Sequence, residues 1–377
     1  MKIAFTGDFA FSQYFKEAYK DDKLFSQEII DFLNDADETV VNVEGPITSG
    51  PLESTRLLNH FTHPDGVNWL NRLGATVWSL GNNHVVDCGR LGVQDTLELA
   101  AKHGVKTVGA GMNRSEAAKP LPLSPLVGLV SVVYNKDVLL ATDTEPGCVF
   151  ADDYDMVRAE IGEIKKQCRY CIVVAHVGCE FSRMPMRYVR EMYLKFLEMG
   201  ADAVVGHHPH VVQNYEIFDG KPILYSLGNF VFDTNYQRMH RFTEDGVLVK
   251  LNVPENGGSI TFEAMGTHID RGTHRISASK PVAIFTEINA DEYEKLVPYS
   301  IAEYETELFD VIRYSHEKAH DTPFLPTTEE WDEKIRDRAS QKLGGADEII
   351  CNRGVVLRDA WKEADRPDVI DFINACR

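Results

Sequence analysis

The sequence contains no long apolar run, and this absence excludes a class of proteins. No stretch approaches the roughly 18 to 20 consecutive apolar residues that a helix needs to cross a bilayer. The first residues, MKIAFTGDFAF, also lack the extended apolar segment and the cleavage site of a secretory signal peptide. We therefore expect a chain that has no membrane segment and resides in the cytoplasm.

Positive charge is also scarce in this chain. Lys and Arg number 39 against 58 Asp and Glu, so the formal net charge is -19 at pH 7. A field of this sign repels nucleic acids and anionic membranes, and neither is an expected partner. An anionic substrate would need positive charge supplied locally. Bound metal ions are one way to supply it.

Cysteine is sparse, and its distribution does not suggest disulfides. The 7 cysteines are odd in number and scattered along the chain, which indicates buried reduced thiols rather than a disulfide framework. Cys168 and Cys171 form a C-x-x-C pair, but no second pair accompanies them, and Cys171 begins the apolar run CIVVAH. Core cysteines are therefore favoured over a zinc or redox pair.

Short apolar runs alternate with helix-like segments over the first two thirds of the 377 residues. Helices are predicted at QDTLELAAKHG, which Gly104 ends, and at PMRYVREMYLKFLEMG, which begins at Pro185 and ends at Gly200. This alternation predicts an α/β fold with buried, partly parallel strands. Runs rich in Val and Ile predict the strands, at residues 2–7, 39–43, 76–80, 171–175, 201–205 and 222–227.

The pattern changes near residue 246. The segments GVLVKLNV and SITFEAMGTHI predict an antiparallel hairpin. Beyond about residue 288 the chain becomes charged and helix-like, and no internal repeat or low-complexity linker precedes this change. We predict one catalytic-type domain over residues 1–287 and a helical C-terminal extension over residues 288–377.

Five of the predicted strands lead into side chains that bind divalent metals. One such residue alone is typical of a cap or a hydrogen-bonded turn. Because the carboxyl ends of strands in an open α/β sheet line one crevice, five of them at the same end favour a shared metal site. They are Asp8 after KIAFTG, Glu44 after TVVNV, GNNH (81–84) after TVWSL, His176 after CIVVA, and GHHPH (206–210) after ADAVV.

This ordered set resembles the capsule protein A family of poly-gamma-glutamate synthesis, a branch of the calcineurin-like metallophosphoesterase superfamily. The resemblance covers about residues 1–270, and ADAVVGHHPHVVQ followed by ILYSLGNFVFD is its most specific part. It implies a metallophosphoesterase-like β sandwich flanked by helices, with four αββα layers. It also implies a centre of one or two divalent metal ions at the strand ends.

The resemblance implies a role for each strand-end residue. Asp8 would bind the first metal, and Glu44 would bridge the two metals. Asn83, His176 and one histidine of GHHPH would bind the second metal. Mn, Fe and Zn all suit such a mixture of carboxylate, amide and imidazole ligands.

Two positions depart from the superfamily motifs. The motif G-H-x-H carries one extra residue after Gly206, and His208 with His210 preserves the H-x-H spacing. This implies His208 as a ligand of the second metal and His210 as a ligand of the first, while His207 remains an alternative. Ala10 stands where the superfamily has a histidine two positions after the Asp, so the first metal would lack a nitrogen ligand. A site with a single metal therefore remains open.

His84 is the implied general acid, which would protonate a leaving group displaced by metal-activated water. Asp87, three positions on, could orient the His84 imidazole, although an Asp before Cys-Gly is more typical of a turn. His60 and His63 lie in a Pro-containing stretch and could cover the site, although exposed histidines are the commoner case in such a loop.

The candidate substrate-binding residues are Arg183, Arg187, Glu180 and Asn229. The arginines, with Arg190, could form an anion clamp for phosphate or carboxylate, although a solvated basic helix face has the same pattern. Glu180 could support a histidine ligand or pair with Arg183. Asn229 is either a substrate contact or part of a Gly-Asn turn.

Two functions are compatible with these residues. The first is a metal-dependent hydrolase of phosphoesterase type, which acts on an anionic small molecule or polymer, either a phosphoester or a polyglutamate amide. The second is a non-catalytic, metal-containing binding or scaffold protein for capsule polymer assembly. A metal count, combined with ester turnover by the wild type and by His84→Asn, separates the two. The oligomeric state and the native metal stay open.

Overall fold

A computed structural model describes residues 1–50, 60–134 and 140–295 of the chain. The α-helices are α1 (Gln27–Asn34), α2 (Val67–Arg72), α3 (Gly89–Lys102), α4 (Arg114–Ala117), α5 (Tyr154–Gln167) and α6 (Arg187–Glu198). The first eight strands are β1 (Lys2–Phe9), β2 (Glu38–Val43), β3 (Val77–Ser79), β4 (Lys106–Val108), β5 (Ala110–Gly111), β6 (Leu121–Pro122), β7 (Val127–Tyr134) and β8 (Gly147–Cys148). The others are β9 (Tyr170–Val177), β10 (Ala203–His207), β11 (Tyr215–Phe218), β12 (Lys221–Leu224), β13 (Asn229–Val231), β14 (Asp245–Asn252), β15 (Thr261–Asp270) and β16 (Arg275–Ser279).

The strands form two large sheets and one short pair. The first sheet has the order β16-β15-β14-β1-β2-β3-β4, with β13 paired to the end of β1. Strands β1 to β4 run parallel, and β14 to β16 continue the sheet antiparallel. The second sheet has the order β11-β12-β10-β9-β7-β6, with a parallel centre of β7, β9, β10 and β12. The mixed α/β architecture expected from the sequence is confirmed.

Three buried clusters show how the sheets and helices pack. Phe5 and Val40 of the first sheet share a cluster with Ile172 and Val205 of the second, so apolar faces of the two sheets meet. A second cluster joins the first sheet to residues of α1, α2 and α3. A third joins the second sheet to residues of α5 and α6. Burial of the apolar side chains in these three clusters supplies the main stabilising contribution to the fold.

The predicted elements agree with the structure in type more closely than in their bounds. The six predicted strands correspond to β1, β2, β3, β9, β10 and β12, and the predicted hairpin corresponds to β14 and β15. The helix expected at Pro185 begins at Arg187, and one face of it, with Val189, Tyr193, Phe196 and Leu197, is buried. Strand β7 was not predicted, although it is buried along its whole length.

The predicted boundary at residue 287 lies inside a packed region. Ile288 and Tyr293 belong to the cluster under α6, and the Tyr293 hydroxyl donates to the Pro185 carbonyl at 3.1 Å. A helical stretch begins at residue 290 and continues to residue 295. The predicted helical extension beyond that point lies outside the described residues. The division into two parts therefore stays a prediction.

The cysteines in the described part of the chain match the expectation from their spacing. Cys168, Cys171 and Cys148 are buried free thiols, and Cys88 and Cys179 are also buried. Burial raises the pKa of the Cys148 thiol to about 12, which keeps it protonated and unreactive. Among the described residues, no helix is long and apolar enough to span a membrane.

The segment 225–231 crosses from the second sheet to the first, and its backbone passes very close to strand ends of both sheets at the site. It follows β12 and ends in β13, which pairs with β1. A Cβ at Gly206 would lie 2.0 Å from the Tyr225 carbonyl oxygen, and one at Gly7 would lie 2.2 Å from that of Gly228. Glycine is therefore required at both positions, because any side chain would push the segment away from the strand ends.

Candidate metal centre

The carboxyl ends of strands from both sheets meet at one buried cluster. Asp8 lies near the end of β1, and Glu44 follows β2 directly. His176 lies near the end of β9, next to His207 at the end of the neighbouring strand β10. All four side chains are buried. The convergence expected from the strand-end pattern is therefore observed in the geometry.

Asp8 contacts side chains from three other segments. Its Oδ1 accepts a hydrogen bond from Asn42 Nδ2 at 2.8 Å and lies 3.2 Å from His207 Nδ1. Its Oδ2 lies 3.2 Å from His210 Nδ1. Burial alone would raise the pKa of Asp8, but the contacts with His207 and His210 outweigh it and hold that pKa well below its usual range. Asp8 is therefore a carboxylate.

Glu44 has a different environment, although it is equally buried. Its Oε1 lies 3.5 Å from His210 Nε2, 3.8 Å from His176 Nε2 and 3.9 Å from His84 Nε2. Neither carboxylate oxygen has a hydrogen-bond partner among the described residues. Burial, opposed by His210, raises the pKa of Glu44 well above its usual range. A buried carboxyl in this state is costly unless something else compensates it.

The spacing of these atoms fits a cation better than hydrogen bonds. Hydrogen-bonded nitrogen and oxygen atoms lie about 2.7 to 3.2 Å apart, whereas two ligands on a tetrahedral zinc, each about 2.1 Å from the metal, lie roughly 3.4 Å apart. The separations of Glu44 Oε1 from His210 Nε2 and His176 Nε2, 3.5 and 3.8 Å, are closer to the second value. Two groups of side chains offer ligand atoms within 4.8 Å of one another, namely Asp8 with Glu44 and His176, and Glu180 with His208 and His210.

His176 links the two sides of the cluster. Its Nε2 lies 2.8 Å from Asn83 Oδ1 and 3.2 Å from His208 Nδ1. Burial, together with repulsion from His208, lowers the pKa of His176 well below its usual value. The imidazole is therefore neutral, which is the form that binds a metal.

The histidine turn after β10 has a strained backbone. His208 and His210 have φ angles of 97° and 58°, in the left-handed region that non-glycine residues rarely adopt. Asn229 holds the second ring, because its Oδ1 lies 3.0 Å from His210 Nδ1. Burial lowers the pKa of His210, but the charges of Glu44 and Asp8 outweigh that effect and raise it to about 10.

The structure brings all three histidines of GHHPH to the cluster. His207 lies in β10 and approaches Asp8, His208 contacts His176, and His210 lies between Asp8 and Glu44. The preference for His208 and His210 over His207 as ligands stays a prediction.

His84 and Asp87 form a hydrogen-bonded pair beside Glu44. Nδ1 of His84 lies 2.7 Å from Oδ2 of Asp87, and the same oxygen accepts the backbone N–H of His60 at 2.7 Å. An acceptor carboxylate at this position places the proton of the neutral imidazole on Nδ1. The other nitrogen of His84 is left on the side of Glu44.

Three residues of the site were missed or misjudged from the sequence. His60 was expected at the surface, which is wrong, because it is buried and its ring packs edge-on against His84 with centroids 4.3 Å apart. His63 is 42% exposed, in line with that expectation. Asn42 donates to Asp8, and its signal was a polar residue inside the apolar run TVVNV. Asn82 accepts from the backbone of Gly45 and His84.

The candidate substrate-binding arginines lie in separate surroundings. Arg183 lies over the Phe242 ring at 4.4 Å. Arg187 donates two hydrogen bonds to Glu294, at 2.9 and 2.7 Å, and Arg190 makes a similar pair of bonds with Glu216. The roles of Arg183, Arg187, Glu180 and Asn229 in substrate binding stay predictions.

Comparison with known proteins adds information of a different kind. The model of a family described as bacterial capsule synthesis protein PGA_cap matches residues 2–234. The chain is 31% identical to the PGA biosynthesis protein CapA of Bacillus subtilis, over 68% of this chain and 69% of that protein. It is 28% identical to the capsule biosynthesis protein CapA of Bacillus anthracis, over 69% of this chain and 66% of that protein.

A third relative carries a different name. The probable polyglutamine synthesis accessory protein of Mycobacterium tuberculosis is 27% identical over 62% of this chain and 67% of that protein. The chain thus spans about two thirds of the length of these relatives. A solved 5'-nucleotidase from Candida albicans matches 84% of this chain and 58% of that one with a TM-score of 0.41 and 10% identity, which is too weak for any inference.

Proposed function

The chain belongs to the PGA_cap family of bacterial capsule synthesis proteins, and from this premise we propose that it is a metal-dependent hydrolase of phosphoesterase type. Its fold in this proposal is the metallophosphoesterase-like αββα sandwich, with residues 1–287 as the catalytic domain. The names of the relatives place those proteins in PGA and capsule synthesis. We extend that setting to this chain, with a phosphoester or polyglutamate as the anionic substrate.

The observation that carries the proposal is the environment of Glu44. Both carboxylate oxygens are buried and lack hydrogen-bond partners among the described residues, while three imidazole nitrogens lie 3.5, 3.8 and 3.9 Å from Oε1. A protein tolerates such a carboxylate where a cation compensates it. The donor set around it, of carboxylate, amide and imidazole groups, suits Mn, Fe or Zn.

We propose that the ligands fall into two groups that share Glu44. Asp8 and His210 would bind with it on one side, and Asn83, His176 and His208 on the other, with His207 as the alternative to His208. When bound, one or two such ions would acidify a water molecule and neutralise the oxygens of the displaced group. Asn229 fixes the orientation of His210 through its Oδ1.

His84 supplies the proton in this proposal. Asp87 accepts from His84 Nδ1 and stabilises the imidazolium, so Nε2 is the atom from which a proton leaves. After transfer to the leaving oxygen, the ring is neutral and retains the Nδ1 proton that Asp87 holds. The backbone N–H of His60 donates to the same Asp87 oxygen and fixes the carboxylate in place.

The test combines a metal count with turnover. Purified wild-type protein should contain divalent metal and hydrolyse a phosphomonoester, a phosphodiester or a glutamyl amide. His84→Asn should retain the metal and lose turnover by about 10²- to 10⁴-fold, the usual contribution of a general acid. Wild-type protein that contains metal but hydrolyses none of these substrates would favour the scaffold function. Protein that binds no divalent metal would exclude both functions.

A further inference from the structure

The loop between β9 and α6 is bonded to the histidine turn that follows β10. The backbone N–H of Phe181 donates to the Pro209 carbonyl at 2.8 Å. Gly178 has a φ angle of 151°, and a Cβ there would lie 2.8 Å from the Pro209 ring. A residue with a side chain would therefore force the two loops apart. Glu180 lies between these two anchor points in the sequence.

Further contacts hold the loop over the turn. The Phe181 ring is stacked on His210 with centroids 6.0 Å apart, and on His240 with centroids 3.7 Å apart. Gln213, three residues beyond His210, donates from Nε2 to the Ser182 carbonyl at 2.7 Å. Phe181 itself has a φ angle of 63°, which such packing must support. The position of Glu180 is thus determined on both sides of the residue.

This arrangement brings one carboxylate to two imidazoles. Glu180, His208 and His210 each offer a ligand atom, and these atoms lie within 4.8 Å of one another. Burial is the main cause of the raised pKa of Glu44, and the nearby charge of Glu180 adds to it. Glu180 is only partly buried, whereas both histidines are buried. The carboxylate therefore faces the cluster from its more exposed side.

We propose that Glu180 is itself a metal ligand, which binds a divalent ion together with His208 and His210. The inference rests on the proposed function, because it adds a ligand to the same centre. Asp8, Glu44 and Glu180 would then bring three carboxylates to the site, and two bound divalent ions would leave one positive charge. That residual charge would attract an anionic substrate despite the net charge of -19. More oxygen ligands also favour Mn²⁺ over softer ions.

The test is a titration of metal-free protein with Mn²⁺ alone, in which calorimetry and electron paramagnetic resonance detect the binding. Glu180→Gln keeps the size of the side chain and removes its charge. We expect it to weaken the binding of one Mn²⁺ by at least about tenfold, since even the loss of a group that supports a ligand costs 10- to 100-fold. Glu180→Asp should recover part of the affinity. The matched control is Glu198→Gln, the same change at an exposed position on α6, which should bind as the wild type does.

The outcomes separate this inference from the proposed function. If the wild type binds Mn²⁺, and Glu180→Gln binds it with unchanged stoichiometry, affinity and spectrum, Glu180 is not a ligand and only this inference fails. If the wild type binds no Mn²⁺, Fe²⁺ or Zn²⁺, the proposed function fails together with it. Thermal unfolding of the metal-free variants should match that of metal-free wild type, and a large destabilisation of Glu180→Gln with unchanged Mn²⁺ binding would assign the residue a structural role instead.

Discussion

Arg190 on α6 meets Glu216 through two hydrogen bonds of 2.9 and 2.7 Å, whereas Glu44 at the metal centre stands 3.5 to 3.9 Å from three imidazole nitrogens. Tyr225 completes the first group by donating to Glu216 at 2.8 Å. We call Arg190, Glu216 and Tyr225 the ion-pair cluster. Both regions bury a carboxylate, yet of the two only Glu216 receives hydrogen bonds from the described residues.

The difference separates a structural role from a functional one. A buried ion pair with satisfied hydrogen bonds needs nothing further, and removal of one partner leaves an unpaired charge. A carboxylate that the protein leaves unsatisfied is costly to the fold, and a bound cation would remove that cost. In the proposed function, Glu44 therefore lowers the stability of the metal-free protein and creates a metal-binding site, whereas Glu216 needs no ion.

The largest effect is expected at Glu44. Glu44→Gln should reduce divalent metal affinity by roughly 10³-fold or more, because it removes a ligand rather than a group that supports one. Titration of the metal-free protein with Mn²⁺ measures the loss. The metal-free variant should also be at least as stable as metal-free wild type, because the substitution removes a buried carboxyl group that has a raised pKa and no hydrogen-bond partners among the described residues. A strongly destabilised metal-free variant would show that Glu44 is satisfied within the protein.

Glu160 on α5 provides a third case, with neither a counterion nor a metal cluster in the part of the chain that the structure describes. Burial, aided by the charge of Asp153, raises the pKa of Glu160 to about 9 from 4.5. The folded protein thus keeps a proton that the unfolded chain releases above pH 4.5, so this group favours folding at low pH and less so as the pH rises through about 9.

Glu160→Gln should remove that pH dependence. As the pH rises from 4.5 to about 9, the free energy of unfolding of the wild type should fall relative to that of the variant by on the order of a few kcal/mol. Urea unfolding at several pH values measures it. If the free energy of unfolding depends on pH in the same way for both proteins, Glu160 is ionised in the folded state.

A smaller effect is expected in the ion-pair cluster. Glu216→Gln should destabilise the protein by about 2 kcal/mol, below the roughly 3 to 5 kcal/mol of a complete loss because the amide oxygen still accepts a hydrogen bond. Chemical unfolding gives the value, and Mn²⁺ titration should show unchanged binding. A change in metal affinity would contradict the separation between the two regions.

The smallest effect is expected at the rim of α6. Arg187 and Glu294 form an exposed pair, with side chains 40% and 53% accessible. Arg187→Ala should cost less than about 1 kcal/mol, as is usual for exposed ion pairs. If the same substitution raises KM for an anionic substrate with little change in kcat, Arg187 acts in substrate binding as its sequence position suggested.

The sequence predicts a site residue when the pattern that marks it is local, and it fails when the residue's environment depends on contacts with distant parts of the chain. Asp8, Glu44 and His176 were found because each follows an apolar strand, which is a local pattern. His60 was misjudged because its burial depends on Asp87, 27 positions away, which holds its backbone N–H. Similarly, no local pattern shows that Arg187 pairs with a residue 107 positions further along the chain.

Strand β7 was missed for a local reason. Gly128 and Ser131 interrupt its apolar run, and both are residues that weaken a strand prediction. In the fold, neighbouring groups approach these two positions closely and leave room only for small residues. A Cβ at Gly128 would lie 2.6 Å from the Ile164 side chain. The close approach of Ser131 to Gly81 and Gly109 has the same basis. Small residues that the tertiary packing requires therefore looked, in the sequence, like the end of a strand.

The segment that crosses between the sheets has a consequence for hydrogen exchange. Its carbonyls accept from the amides of Asp8 and Val247 in the first sheet, at 2.9 and 2.8 Å, and from the amide of Ala10 just after β1, at 2.7 Å. Its own Leu227 amide donates to the Gly206 carbonyl in the second sheet at 3.2 Å. Opening either sheet must break bonds to this one segment, so these amides should exchange together as one cooperative unit. An ion bound at the adjacent strand ends would then slow exchange in both sheets at once.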